Sequence, residues 1–348
     1  MASMTSTFRS RKCVIGPRIR NWSASLLAVL LLLSSRFVTG QITDTQVEIT
    51  PGHEMRMSTN KKPEAFFDTR IKPFKVNVDL VLVTVTVSDS MDRLVTGLDR
   101  EHFHVFDNNE AQTILHFSTE DAPVSLGVIL DTSGSMDSKI QLAREAILQF
   151  LKAANPQDEF FVVTFADKPQ QIASFTTVVE DIASPLVYTA PKGRTALLDA
   201  VYLGLSKMRE AKYSKKALLI LSDGGDNNSR YTEKEIKSVV EEADTLIYAI
   251  GIYDRSFPTT EERYGPLLLD EITTLTGGRA FTVDNPNELV DVALKIGLEL
   301  RNQYVLGYRP AHPVRDGRWH KLKIKLSPPK GLPHLQLNAK KGYYAPPE

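Results

Sequence analysis

Uninterrupted apolar runs alternating with amphipathic stripes predict an α/β fold, a doubly wound and mostly parallel sheet flanked by helices, over residues 121–302. The runs lie at 125–130, 160–165, 217–221 and 246–252, the length of strands rather than helices. Between them Ile140, Ala143, Ile147, Phe150 and Leu151 recur at helical spacing, as do Leu197, Ala200, Val201, Leu205 and Met208. Short alternating strands on either side, at 76–120 and 303–345, predict that this unit is inserted in or flanked by an antiparallel β-sandwich.

Residues 1–40 read as an export signal. Arg9, Arg11, Lys12, Arg18 and Arg20 precede an apolar stretch at 26–33, and small residues then lead to Gly40, where cleavage is expected. The stretch falls far short of the roughly 20 residues that a membrane span needs, so no stable span is expected. The chain is expected to be secreted, or periplasmic or part of the cell envelope, once the signal is removed. Cys13, the only cysteine, leaves with it, so no disulfide framework follows. Removing residues 1–40 takes away six basic residues and no acidic ones, so 42 minus 42 becomes 36 minus 42, a formal charge of −6. That balance argues against a nucleic-acid partner. Residues 41–73 are polar, lack periodicity and carry Lys61-Lys62-Pro63, which marks a flexible linker.

The 76–120 segment begins with Val76, Val78, Leu80 and Leu82 on even positions and continues with Val81, Val83, Val85 and Val87 on odd ones. Such a switch of apolar face predicts a bulged strand or one passing between two sheets. Short strands follow at 94–98, 102–106 and 113–117, with a turn at Asp107-Asn108-Asn109. After the α/β stretch, similar signals return at 304–308, 322–326 and 335–337. Neither flank holds enough strands for a sandwich of its own, and a few isolated strands are only marginally stable, so the two are expected to close one together.

Within residues 121–302 the helix starts are legible: Thr232 with Glu235 forms a capping box, and Asn285 before Pro286 reads as a cap followed by the first helical position. The chemistry concentrates at Asp131-Thr132-Ser133-Gly134-Ser135, directly after the first apolar run. One carboxylate and two hydroxyls on a single turn suit a hard cation such as Mg2+, which takes oxygen ligands and keeps several waters. Thr195, at the start of a predicted helix, and Asp223, at the end of the 217–222 strand, supply two further oxygens. Open sheets of this class bind ligands at the carboxyl ends of their strands, where Asp131 and Asp223 both stand.

These five residues, in this order and on these elements, resemble the metal-ion-dependent adhesion site of von Willebrand factor type A domains. The resemblance covers residues 121–302. It implies that Ser133, Ser135 and Thr195 contact the ion, while Asp131 and Asp223 act directly or through water. It also implies one open coordination position. Neutral hydroxyls and water leave the ion much of its charge, so a protein ligand presenting an Asp or Glu carboxylate is the implied partner. Mg2+ is the expected cofactor, with Mn2+ or Ca2+ as alternatives. Tyr304-Val305-Leu306-Gly307-Tyr308 and Lys341-Gly342-Tyr343-Tyr344 further resemble a bacterial von Willebrand factor A-related group, which implies architecture but no ligand.

The expected function is an exported, metal-dependent protein-binding module of adhesion type and not an enzyme; a structural envelope scaffold and a metal-assisted hydrolase are the competing classes. All seven histidines lie outside residues 121–302, so a nucleophilic Ser133 or Ser135 lacks an in-domain His base, and no Gly-x-Ser-x-Gly elbow or P-loop is present. His102, His104 and His116 read as a polar sandwich face rather than a zinc site, lacking a carboxylate or Cys at recognisable spacing. The 223–228 stretch lacks the distal Glu of a calcium loop. Lys321, Lys323 and Lys325 read as a solvated strand face. Asp199 either orients the site or favours the helix dipole. Residues 223–231 and 253–265 are the expected specificity loops.

Overall fold

The computed structural model describes residues 80–119, 121–253, 260–312, 315–332 and 334–346. The expected signal and linker, together with Val76 and Val78, lie outside these residues. Four strands come first: β1 (Val81–Asp89), β2 (Phe103–Asp107), β3 (Glu110–Gln112) and β4 (Ile114–Ser118). The chain then alternates through β5 (Val124–Asp131), α1 (Ile140–Lys152), β6 (Glu159–Phe165), β7 (Pro169–Thr176), α2 (Val179–Val187), α3 (Leu197–Lys207) and β8 (Lys215–Ser222). It continues through α4 (Glu233–Glu242), β9 (Leu246–Ile252), α5 (Thr260–Thr276), β10 (Ala280–Val283) and α6 (Leu289–Arg301). The last strands are β11 (Tyr304–Tyr308), β12 (Trp319–Leu326), β13 (Leu335–Ala339) and β14 (Gly342–Tyr344).

The fold class is the expected one. A six-stranded sheet runs in the order β10-β9-β8-β5-β6-β7, parallel throughout except for β7, which pairs antiparallel with β6 at one edge. Every residue of β5 is buried because helices cover both faces. Val128 and Leu130 join α1 and α6 in one core, while Ile129 faces α3 in the other. Packing across β5 is tight enough that a Cβ on Gly127 would stand 2.4 Å from both Leu218 and Phe161. The chain leaves β5 toward β6 and leaves β8 toward β9, on opposite sides of the β5–β8 pair. A crevice opens where connections diverge in this way, beyond the carboxyl ends of the two strands.

Strands from before and after this sheet pair with one another. One antiparallel sheet has the order β13-β1-β11-β4, the other β14-β12-β2-β3. Val83, Val85, Tyr304 and Leu306 from the first share a core with Phe103, Val105 and Leu322 from the second. The tyrosines of the two flanking motifs serve as clasps. The Tyr304 hydroxyl donates to Val95 O at 2.9 Å and accepts from Leu98 N at 3.1 Å, and the Tyr308 and Tyr343 hydroxyls each donate to the buried Asp107 carboxylate at 2.9 Å.

Two sequence expectations are corrected here. β1 runs without a register break, pairing with β11 over 81–85 and with β13 over 85–89. Its odd residues face the sandwich core; Thr86 and Ser88 are also buried, Thr86 receiving a hydrogen bond from Gln303, whereas Leu80 and Leu82 remain exposed. The switch of apolar face therefore marks a strand covered on both sides for part of its length. Residues 94–98 form only an isolated bridge, Ser88 to Leu94. The Asp89 carboxylate draws in Met91 N and Arg93 N, and the Tyr304 hydroxyl ties down the backbone that a strand would have used.

A partly buried charge network joins the sandwich to the parallel sheet. Arg279, beside β10, pairs with Glu299 of α6 and with Asp92 in the turn after β1, and Lys295 also reaches Asp92. The Arg279 guanidinium lies 4.5 Å from the Phe281 ring centroid.

Candidate metal centre

Asp131 ends β5, Ser133 and Ser135 lie on the turn that follows, and Asp223 comes directly after β8. Burial is nearly complete for both carboxylates, at 0% exposure for Asp131 and 1% for Asp223. Ser135 is exposed, so the cluster opens to solvent on one side. The turn is held by its own polar groups. Asp131 Oδ1 accepts Ser133 N at 2.8 Å, and the Ser133 and Ser135 hydroxyls stand 3.1 Å apart. Thr132, alongside, donates both N–H and hydroxyl to Phe165 O at the end of β6.

Thr195 lies two residues before α3, not on its first turn, and is 5% exposed. Gly134 N donates to Gly193 O at 3.2 Å, which brings the loop bearing Thr195 against the serine turn. Gly193 has φ +84 and a Cβ there would meet the Asp167 carboxylate, so the approach depends on glycine. The start of α3 has no side-chain cap of its own. The loop after β8 supplies two, Asp226 Oδ1 accepting Leu197 N and Ser229 Oγ accepting Asp199 N, and its Asn227 Oδ1 accepts Thr195 N just ahead of the helix. Asp199 returns the interaction by accepting Arg230 N at 2.8 Å and Tyr231 N at 3.2 Å. Of the two sequence readings for Asp199, the positioning one matches these bonds. The acidic look of 223–228 has the same explanation, since Asp226 and Asn227 face α3.

Sequence reasoning missed Ser222. Its hydroxyl donates to Asp131 Oδ2 at 2.6 Å and accepts Gly224 N at 2.9 Å, so it bridges the two strand ends. A hydroxyl preceding Asp223 was the available signal. Gly224, at φ +75, lies against Gly265 of α5, where a Cβ would meet backbone at 2.6 Å. Tyr253 follows β9, and its phenol is raised above the usual range by burial and by the nearby charge of Asp223. The rest of the expected specificity segment, residues 254–259, lies outside the described residues.

The electrostatics favour a cation. Burial, reinforced by the charge of Asp223, pushes the Asp131 carboxyl up to about 7, against the opposing pull of its Ser133 and Ser222 hydrogen bonds. Among the described residues no Lys or Arg pairs with Asp131. Two buried acids beside three small hydroxyls are a costly arrangement for the bare protein and a fitting donor set for a hard divalent ion. Among the described residues no group of three or more His, Cys, Asp or Glu side chains is placed to hold a metal ion. His102 and His104 are instead bound to Ser327, and His116 lies in the other antiparallel sheet.

An α/β domain whose hydroxyl- and carboxylate-lined turn sits at the switch point of a parallel sheet is thereby defined. Residues 126–225 match the family model described as von Willebrand factor type A domain, and the chain contains such a domain. An uncharacterized protein of Borreliella burgdorferi is 24% identical over 199 residues, covering 49% of this chain and 56% of that protein. Inter alpha-trypsin inhibitor, heavy chain 4, of Mus musculus is 30% identical over 174 residues, covering 44% of this chain and 18% of that one. The chain thus spans about half, or less, of the length of these curated relatives. Among solved structures, a von Willebrand factor type A protein from Catenulispora acidiphila aligns with 13% identity and a TM-score of 0.46, over 78% of this chain and 76% of that one.

Proposed function

We propose that the chain is an exported protein-binding module of adhesion type whose grip depends on a divalent cation. Ser133, Ser135 and Thr195 would hold Mg2+, with Mn2+ or Ca2+ as alternatives, and Asp131 and Asp223 would act directly or through water. When bound, the ion supplies a positive charge with one open position, suited to an Asp or Glu carboxylate of a protein partner. What the chain itself does is hold the donors in place: Ser222 orients Asp131, and Asn227 in the loop after β8 fixes Thr195. The observation that carries this reading is the adjacency of the buried Asp131 and Asp223 carboxylates beside the solvent-facing Ser135 hydroxyl.

Thermal unfolding with and without Mg2+ or Mn2+ tests the ion. A ligand at about a hundred times its dissociation constant adds about 2.7 kcal/mol, so the melting temperature rises by several degrees, and Asp131→Ala abolishes the rise. An equal response in the variant removes the assignment. Pulldown from the native envelope with Mg2+ and with chelator tests the partner. A prey set indifferent to chelation favours the scaffold reading.

A further inference from the structure

A groove of about 440 Å3 runs beside the proposed metal centre, and Thr132 lines it. Thr132 stands between Asp131 and Ser133, so one residue of the turn belongs to both features. The other walls are the end of β6 with the turn into β7, and the segment that leads from α2 to Lys192. Backbone bonds stitch these pieces together: Thr132 N donates to Phe165 O at 2.8 Å, and Lys192 N to Thr132 O at 2.9 Å. Arg144 of α1 fixes the segment after α2, its guanidinium donating to Thr189 O and, at 3.1 Å, to Thr189 Oγ1. The groove is therefore built into the fold, and a ligand need not order its walls.

Its lining combines spare positive charge with apolar surface. Lys168 and Lys192 are exposed, and among the described residues neither pairs with a carboxylate. Asp167 is the one acid among the lining residues, and its Oδ1 already accepts Arg194 N at 2.8 Å. Arg144 adds a third cation at Thr189. It is 8% exposed, has no carboxylate partner among the described residues, and its buried Nε makes no hydrogen bond. A buried charge is weakly screened, so it strengthens the positive potential at the groove. The apolar part is Tyr188, 86% exposed, with the half-buried Pro185 and Ile172. An accessible tyrosine beside cations is the kind of surface that anchors protein partners.

We propose that this groove receives the partner's chain next to its metal-bound carboxylate and selects a segment carrying a second acidic residue together with an aromatic or aliphatic one. The second acid pairs with Lys168 and Lys192, and the apolar side chain lies against Tyr188, Pro185 and Ile172. This selectivity rests on the metal-held carboxylate proposed above and adds the sequence context in which that carboxylate is taken. A partner whose acid is flanked by basic residues is rejected, because Lys168 and Lys192 then face like charge.

Selection from a phage-displayed library of random dodecapeptides against the whole chain in Mg2+ tests this. The enriched peptides are expected to share two acidic positions and a neighbouring aromatic or aliphatic one. Repeating the selection on the double variant Lys168→Glu, Lys192→Glu should replace the second acid by Lys or Arg and keep the first, whereas Lys323→Glu, on the exposed face of β12, should change neither. In fluorescence polarisation the best peptide should bind the double variant at least about tenfold more weakly, the scale of one hydrogen bond to a charged group. Circular dichroism checks that each variant is folded; Lys168→Gln with Lys192→Gln, which should remove the second preference without inverting it, decides if the reversal is not. A single shared acid, a second acid that survives the lysine changes, or enrichment of no acidic motif overturns the proposal. The metal is read separately, by chelator and Asp131→Ala. Binding indifferent to both, with a second acid that still follows Lys168 and Lys192, sinks the metal reading and leaves the acid preference of the groove standing.

Discussion

Asp131 is the residue at which folding and chemistry conflict. Its carboxyl is held in the core at a pKa of about 7, well above the 3.8 of an unfolded aspartate. A carboxyl whose folded-state pKa is raised contributes stability that is complete below its unfolded value and lost as pH climbs through the folded one. Metal-free protein should therefore lose stability between pH about 4 and about 7, by an amount on the order of a few kcal/mol. Urea unfolding in chelator across that range measures the slope, and Asp131→Asn should flatten it; an unchanged slope in the variant would assign the loss to other groups. Asp131 itself was legible from a strand followed by hydroxyls. Its pairing with Ser222 was not, because no local pattern announces which side chains meet at the ends of two strands 91 positions apart.

At the level of elements, the proposed metal centre is a set of loops that cap one another. The capping box at Thr232 and Glu235 could be read directly and is present, as is the Asn285 cap before Pro286. Both are local, with every partner within three residues. The caps on α3 come from about thirty residues downstream, so the sequence showed a helix without its start signal. β7 and the failed strand at 94–98 belong to the same class, since pairing partners and a distant tyrosine hydroxyl decide them. Asp199→Ala removes the acceptor for Arg230 N and Tyr231 N and should loosen the loop that fixes Thr195. The expected result is about 2 kcal/mol lost in denaturant unfolding and at least about tenfold weaker Mg2+ binding by calorimetry. Intact affinity in a destabilised variant would confine Asp199 to a structural role.

For the whole molecule, the composition of the flanks pointed to a shared sandwich because each alone was short of strands. The observed pairings of β1 with β11 and β13, and of β2 with β12, follow that logic. Whether residues 121–302 form an independent folding unit is a proposal that truncation tests. A chain starting at residue 121 lacks β1, β2 and β4, so β11 and β13 lose their partners and β12 keeps only β14. Trp319 touches Tyr344 of β14, with ring centroids 5.1 Å apart, a contact that the C-terminal strands alone are too few to maintain. Its fluorescence should shift to the red, while the far-ultraviolet signal of the α/β core persists. Native-like Trp319 emission after truncation would mean that the flanks fold separately.

The entry to and exit from the α/β part lie on neighbouring strands, for β4 leads into β5, β11 follows α6, and Ser118 is paired with Val305. Tension applied between the two ends of the described chain is therefore carried by the antiparallel sheets and bypasses the parallel one while that pairing holds. A chain pulled between these two ends keeps the strain away from Asp131 and Asp223. The sandwich acts as a mechanical shunt for tension between the two ends until the pairing of β4 with β11 gives way.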